Sequence, residues 1–252
     1  MRRLILGLVW CCAAAAHAGE FTAGPSGGDG GGASGTITEV LQRSQAQRLA
    51  QRGTAHSHSA ASVRLRASFD RLVGLMPGVL PGFAGAELVL VGGDLFAEAV
   101  FGRAALAASE AVGDLPEGER LLMLAHELGH LGLRHWAAVS SLYRQHIPGA
   151  VTPATTDPVA EALGAAAHAL SHRQEFEADA FGFTLTRQLG FGVDTALSLL
   201  LRQGLQFDGP THPATRRRLA QLRLLETRLA NAALLAGADT AVAASPLVVE
   251  PR

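Results

Sequence analysis

The sequence predicts one predominantly helical α+β domain, and three observations support this fold class. The chain has 252 residues, of which 48% are apolar, and this fits one medium domain with a substantial core better than two domains. Apolar residues recur at helical spacing through most of the chain. One short apolar run, AELVLVGG, is rich in valine and bounded by glycine, which favours a strand.

Six segments are predicted to be helices, the first because it is polar with good helix formers and the second because its apolar residues have helical spacing. The strands lie between the second and the third helix. The predicted helices cover residues 38–52, 63–75, 115–139, 159–189, 193–203 and 215–235. Residues 86–93 predict the first strand, and a second strand is expected within residues 100–110. The loop IPGAVTPATTDP separates the third helix from the fourth.

The N-terminal stretch MRRLILGLVWCCAAAAHAGE has the pattern of a secretory signal peptide. Two arginines precede an apolar region that ends in an A-x-A cleavage site, so residues 1–18 form the expected signal. The apolar run is shorter than the roughly eighteen residues that a membrane anchor needs. Cys11 and Cys12 both lie in this segment. We therefore expect a periplasmic or secreted protein without disulfides or thiolate ligands.

Domain organisation and charge complete the outline of the chain. Residues 19–37, which include GPSGGDGGGASG, cannot bury enough surface to fold and predict a flexible linker. The domain is then expected over residues 38–235, followed by a C-terminal tail of residues 236–252. A formal net charge of -1 gives no general attraction to nucleic acid or to an anionic membrane. We expect no nucleic-acid partner, and no membrane span once the signal is removed.

The stretch LLMLAHELGH ends in residues whose spacing is typical of a metal site. Residues four apart lie on one face of a helix, so His126 and His130 can both offer an imidazole nitrogen to one metal ion. Glu127 points close to the same place. In such an HExxH arrangement, zinc holds and acidifies a water and the glutamate takes its proton. Random placement gives this pattern in about one of fifty comparable sequences, so a third ligand is needed.

The expected third ligand is a carboxylate in RQEFEADAFGF. Glu175 and Asp179 share a helix face there, and a carboxylate from a second helix completes a three-ligand catalytic zinc site. Asp179 is placed to form a hydrogen bond with a ligating histidine. Glu177 lies about 200 degrees around the helix from Glu175 and is expected to be solvated. His135 is disfavoured as a ligand because, on a continuous helix, it lies half a revolution from the face of His126.

Three motifs in this order, HELGHLGLRHW, RQEFEADAFGF and THPATRRRL, resemble the zinc metallopeptidases of the HtpX and CAAX prenyl endopeptidase family, a gluzincin group. The resemblance covers residues 60–230, and the export signal makes the chain most similar to soluble periplasmic members of the BepA type. It implies a zincin-like metallopeptidase domain with a small β-sheet beside the HExxH helix. It also implies one Zn²⁺ per chain and the activity of a zinc metalloendopeptidase.

The resemblance assigns roles to individual residues. It implies that His126, His130 and Glu175 are the zinc ligands. It also implies that Glu127 is the general base and that Asp179 is a carboxylate that supports the site. It also draws attention to His212 and Arg218, where the family places groups that contact substrate or developing negative charge. His212 precedes Pro213 and is therefore held in a turn, where it can steady an oxyanion. For Arg218 a pair with a surface acid is the alternative.

Substrate binding leaves alternatives open. Many members of the family carry Asn-Ala and an aromatic residue on a strand before the zinc helix, and this chain has only the looser AELVLVGGDLF and VFGRAALAASEAV. Either is a candidate edge strand for an extended protein or peptide substrate. The expected setting is envelope protein quality control. The alternative function is a latent or non-cleaving, zinc-binding, chaperone-like interaction protein. In the latent form, His212 fills the fourth zinc position until substrate displaces it.

Overall fold

The structure is a computed structural model that describes residues 35–243. The expected signal peptide, nearly all of the expected linker and the last residues of the expected tail lie outside the described residues. No helix in the described range is long and apolar enough to cross a membrane.

The described residues form eight α-helices and one three-stranded sheet, in agreement with the predicted fold class. In chain order the elements are α1 (Ile37–Gln51), α2 (Ala60–Val79), β1 (Glu87–Val91), β2 (Ala97–Ala99), β3 (Ala105–Ser109), α3 (Glu117–Gly132), α4 (His135–His146), α5 (Pro153–Thr156), α6 (Ala160–Arg187), α7 (Val193–Arg202) and α8 (Thr215–Ala243). Short 3₁₀ turns precede α3 and α6.

The prediction of one helix over residues 115–139 is wrong, because the chain turns between α3 and α4. Arg134 has φ 56° and ψ 40°, which is the left-handed conformation that ends many helices. Glycine normally occupies this position, so an arginine there gives no warning of the break. The loop before α6 also contains the short helix α5, and α8 continues beyond residue 235 to Ala243.

The sheet has the order β1-β3-β2, which places β2 at one edge. β1 runs parallel to β3, with Glu87 opposite Ala105, and β2 runs antiparallel to β3, with Ala99 opposite Leu106. The second predicted strand corresponds to β3. No pattern in the sequence indicates β2, because three residues with a glutamate at their centre are too short for an alternating pattern.

The main core lies where α3 packs against α6, α2, α7 and one face of the sheet. Leu121, Leu124 and Leu128 of α3 are completely buried. Gly182 of α6 allows the two central helices to approach closely, since a Cβ atom there would lie 2.8 Å from the backbone nitrogen of His126. The two helices that carry the predicted ligands are therefore fixed to each other beside the site.

Candidate metal centre

α3 and α6 bring the three predicted zinc ligands together. The Nε2 atoms of His126 and His130 lie 3.1 Å apart. Glu175 Oε2 is 3.5 Å from Nε2 of His126, and Glu175 Oε1 is 3.4 Å from Nε2 of His130. One ligand atom from each residue can be chosen so that all three lie within 4.8 Å of one another. All three side chains are buried, which limits competition from solvent.

The three residues suit a zinc ion because of their donor atoms and because one of these atoms lacks a hydrogen-bond donor. Two imidazoles and a carboxylate are a common donor set for catalytic zinc. Glu175 Oε2 is buried and accepts no hydrogen bond from the described residues. A buried oxygen in this state costs free energy unless a cation or donor reaches it. Zinc between the three side chains would supply that partner.

The carboxylate of Glu175 is held ionised, as a ligand must be. Burial raises the pKa of Glu175, but the charge of His212, the hydrogen bond to His130 and the charges of His126 and Arg218 outweigh it. The pKa therefore lies well below its usual range. A negatively charged oxygen is thus available between two neutral or positive imidazoles.

Asp179 supports His126 from outside the ligand group. Its Oδ1 lies 3.0 Å from Nδ1 of His126, so the imidazole can donate to Asp179 while Nε2 faces the metal position. Arg218 donates to both oxygens of Asp179, from Nε at 2.8 Å and from Nη2 at 2.6 Å. Burial raises the pKa of Asp179, but Arg218 and His126 outweigh it and bring the pKa to about 2.

Arg218 therefore lies behind the site, and its partner is a buried carboxylate instead of a surface acid. Its Nη2 atom is also 3.8 Å from Oε2 of Glu175. The guanidinium contributes positive charge to two carboxylates at once, and its bidentate geometry orients Asp179 toward His126.

Glu127 lies beside the ligands without joining them. Its Oε2 accepts a hydrogen bond of 2.9 Å from the backbone N–H of Ala99 on β2, and its Oε1 is 4.0 Å from Nε2 of His126. Burial raises the pKa of Glu127 to about 7, although the charge of His126 lowers it. A carboxylate with such a pKa can exchange a proton near neutral pH.

His212 lies in the loop between α7 and α8 and reaches the same carboxylate as the ligands. Its Nε2 is 3.7 Å from Oε1 of Glu175, and its Nδ1 is 2.8 Å from Oγ1 of Thr211. Burial lowers the pKa of His212, against the charge of Glu175. Among the described residues, the group of three ligand atoms does not include His212. The imidazole therefore lies at the margin of the site.

His135 is nearer to the site than the sequence reasoning placed it. The break at Arg134 starts a new helix at His135, and this brings its Nδ1 to 2.8 Å from Nδ1 of His130. Burial and the charge of His126 together lower the pKa of His135 to about 4, against the charge of Glu175. The assumption of a continuous helix was therefore wrong, although His135 remains outside the ligand group.

Glu177 also has a contact that its helical position did not suggest. Its side chain is about half exposed, as expected for a solvated residue, yet its Oε2 lies 3.2 Å from Nε2 of His135. Both His135 and Glu177 are visible in the sequence, but their contact could be predicted only with knowledge of the turn at Arg134.

The outer edge of β2, which faces away from β3, is covered by α1. The side chain of Gln45 donates from Nε2 to the carbonyl oxygen of Ala99 at 3.0 Å, and its Oε1 accepts from the backbone N–H of Phe101 at 2.6 Å. Nε2 also donates to Glu98 at 2.8 Å, and Arg48 donates to the same Glu98 oxygen at 2.9 Å. Burial raises the pKa of Glu98 to about 7, although Arg48 and Gln45 lower it.

A small cavity of about 50 Å³ lies beside this edge and reaches His130. Most of the residues that line it are apolar or aromatic; these include Leu41, Phe101, Trp136, Val139, Tyr143 and Leu170. The edge of β2, the ligand group and an apolar recess are therefore contiguous.

The site has the arrangement that is typical of zincin-like metallopeptidase domains. It consists of two histidines one turn apart on a buried helix, a glutamate from a second helix and a buried carboxylate beside them. A comparison with family models agrees with this class, because the model of peptidase family M48 matches residues 110–226. The match covers a little less than half of the chain, and over these residues the chain is similar to this family of peptidases.

The matched segment runs from the turn after β3 into α8 and so contains every residue of the ligand group. α1, α2 and the three strands precede it, and their relation to the site rests on the structure alone. Searches of curated proteins and of solved structures gave no match.

Proposed function

We propose that the protein is an exported, zinc-dependent endopeptidase that hydrolyses protein or peptide substrates, of the HtpX and BepA type that its motifs resemble. The observation that carries this proposal is Glu127, which is buried beside the ligand group and fixed by the N–H of Ala99. A site that only stored zinc would have no need of a carboxylate with a pKa of about 7 at this position.

In the proposed mechanism, His126, His130 and Glu175 would hold one Zn²⁺ per chain. When bound, the ion supplies Lewis acidity toward the peptide carbonyl and lowers the pKa of water. Glu127 accepts a proton from the attacking water and later donates it to the leaving amine. Because Oε2 is fixed by Ala99, Oε1 is the atom left to carry the proton. His212, whose Nε2 lies 3.7 Å from Oε1 of Glu175, is the residue proposed to donate to the developing oxyanion of the substrate.

The substrate is proposed to bind as an extended strand along the outer edge of β2. The order β1-β3-β2 makes β3 central, so β3 has no free edge, and it separates β1 from β2. Ala99 on β2 contacts Glu127 directly. We therefore propose that β2, which lies between the candidate segments AELVLVGGDLF and VFGRAALAASEAV, pairs with the substrate in place of either segment.

The contacts of Gln45 support pairing at this edge. The carbonyl oxygen of Ala99 and the N–H of Phe101, just after β2, face away from β3 and belong to residues two positions apart. In a parallel sheet, one residue of the neighbouring strand would donate to such a carbonyl and accept from such an N–H. The carboxamide of Gln45 has the same donor and acceptor as a peptide group and occupies both. A substrate that pairs here would replace Gln45.

The alternative of a latent or non-cleaving zinc-binding interaction protein is favoured by the same contact, since the edge is covered in this structure. Latency would also follow if His212, which is 3.7 Å from Glu175, filled the fourth zinc position. Export is supported only by the signal-peptide pattern, and a role in envelope protein quality control would follow from export and the endopeptidase activity.

Zinc content and casein cleavage, measured on the mature protein and on its Glu127→Gln variant, test the proposal. We expect about one zinc in each protein and cleavage by the first alone. Zinc in both with cleavage in neither would favour the latent or binding protein. Absence of zinc from both would refute the metal centre, and an uncleaved N-terminus in material recovered from the cell envelope or medium would refute signal removal.

A further inference from the structure

The two predicted histidine ligands direct the same ring atom inward. Nε2 of His126 and Nε2 of His130 are 3.1 Å apart at the metal position, so Nδ1 of each ring faces outward. A neutral imidazole that binds a metal through Nε2 carries its hydrogen on Nδ1. Each Nδ1–H group therefore needs an acceptor, and that acceptor fixes the tautomer and the orientation of the ring.

The acceptors of the two rings differ in kind. His126 has the carboxylate of Asp179, the usual partner for such a ring. His130 has the imidazole of His135, whose Nδ1 is 2.8 Å away. If Nδ1 of His130 donates, then Nδ1 of His135 must accept, which requires that His135 carry its hydrogen on Nε2. That Nε2 atom lies 3.2 Å from Oε2 of Glu177.

We propose that His135 is a positioning residue for the metal centre, and that the negative charge of Glu177 beside Nε2 of His135 favours the tautomer with its hydrogen on that atom. The inference deepens the proposed zinc-peptidase function and rests on it. The series Glu177, His135, His130 thus corresponds to Asp179 and His126 on the other side, with one additional imidazole between the ligand and the carboxylate.

The backbone around His135 holds the ring in this position. His135 is 3% exposed, and its carbonyl oxygen accepts a hydrogen bond of 3.0 Å from Gln174, the neighbour of Glu175. Its ring meets that of His130 edge to face at a centroid distance of 4.9 Å. The left-handed turn at Arg134 aims the first residue of α4 back at α3, which a continuous helix could not do.

Two substitutions at position 135 distinguish the role of His135 as a hydrogen-bond acceptor from its role in filling buried space. Asparagine and leucine have the same branching, and the Oδ1 atom of asparagine occupies nearly the place of histidine Nδ1, whereas leucine has a methyl group there. We expect the zinc affinity of His135→Leu to fall by about 10- to 100-fold, which is typical when the partner of a ligating histidine is lost. His135→Asn is expected to stay within about threefold of wild type.

The measurement is competition for zinc between the metal-free protein and a chromophoric chelator, with circular dichroism to confirm that each variant folds. Glu177→Ala is expected to lose a few-fold in affinity, and Glu161→Ala, an exposed acid on the same helix, is the matched control. Equal affinities in His135→Leu and His135→Asn, whether both wild-type or both reduced, would overturn the inference. Failure of the wild type to bind zinc would instead overturn the proposed function as well.

Discussion

The backbone N–H of Ala99 donates to Oε2 of Glu127 at 2.9 Å, and this bond joins the edge strand to the proposed general base. The strand that is proposed to pair with the substrate thus also fixes the carboxylate that acts on it. A peptide that binds along β2 would reach Glu127 in one defined orientation, which is the geometric condition for efficient proton transfer.

The first prediction concerns the pH dependence of hydrolysis. Burial raises the pKa of Glu127 to about 7, so a growing fraction of the carboxyl is protonated as the pH falls below that value. A protonated Glu127 cannot accept a proton from water, and kcat/KM should fall about tenfold per pH unit on the acid side. The profile is measured between about pH 5 and 9 with a peptide substrate. A flat profile down to about pH 5 would show that hydrolysis does not depend on the ionisation of a group with a pKa near 7.

The second prediction concerns the close contact of α3 and α6. A Cβ atom at Gly182 would lie 2.8 Å from the backbone nitrogen of His126, and backbone atoms cannot move aside easily. Gly182→Ala should destabilise the fold by about 1–3 kcal/mol and weaken zinc binding. The control is Gly164→Ala on the same helix, where no atom lies within 4 Å and a gain of about 0.5–1 kcal/mol is expected. Equal free energies of unfolding for the two variants would contradict the account.

The residues that the sequence could predict are those whose relation lies within one helix or in a motif. The one-turn spacing of His126 and His130 and the acidic face of Glu175 and Asp179 are visible in the sequence because helical geometry fixes them. The resemblance to a metallopeptidase family added His212 and Arg218. The structure places both within 4 Å of Glu175.

The relations that the sequence could not predict depend on turns and on long-range contacts. His135 was placed on the wrong face because an arginine adopts the left-handed conformation that glycine usually takes. β2 is too short to show a period, and the covering of its edge by Gln45 joins residues more than fifty positions apart. Neither local propensity nor periodicity contains such information.

The third prediction concerns the buried pair of Asp179 and Arg218. Removal of Asp179 takes the bidentate carboxylate partner from the buried guanidinium of Arg218, so Asp179→Asn should lose about 3–5 kcal/mol of unfolding free energy in the metal-free protein. The double variant with Asp179→Leu and Arg218→Met removes both charges and should lose less. Denaturant unfolding of the metal-free proteins measures both. A single variant that is as stable as the double one would contradict this view of the pair.

The same pair gives a dependence of stability on pH. The pKa of Asp179 is depressed from 3.8 to about 2 in the folded protein, because Arg218 and His126 outweigh the effect of burial. Its contribution of about 2 kcal/mol is therefore present above about pH 4 and is lost as the pH falls through about 2. Over this interval the stability of Asp179→Asn should fall less steeply than that of the wild type.

The last prediction concerns the covering of the edge strand by Gln45. A substrate that pairs with β2 must displace the hydrogen bonds of Gln45 to Ala99 and Phe101. Gln45→Ala removes this competitor. At about 0.5–1.5 kcal/mol for each of the two bonds, KM for an extended peptide should fall by roughly 5- to 150-fold. The expected change is in KM because Gln45 does not contact the reacting groups.

The control for this experiment is Gln47→Ala, an exposed glutamine on the same helix that should leave KM unchanged. Wild-type protein at low substrate concentration should then be slower than Gln45→Ala, and the two should converge at saturation. A rise in KM in Gln45→Ala would mean that Gln45 itself binds the substrate. An unchanged KM would mean that the peptide does not use this edge, and substrate pairing would have to be sought elsewhere on the sheet.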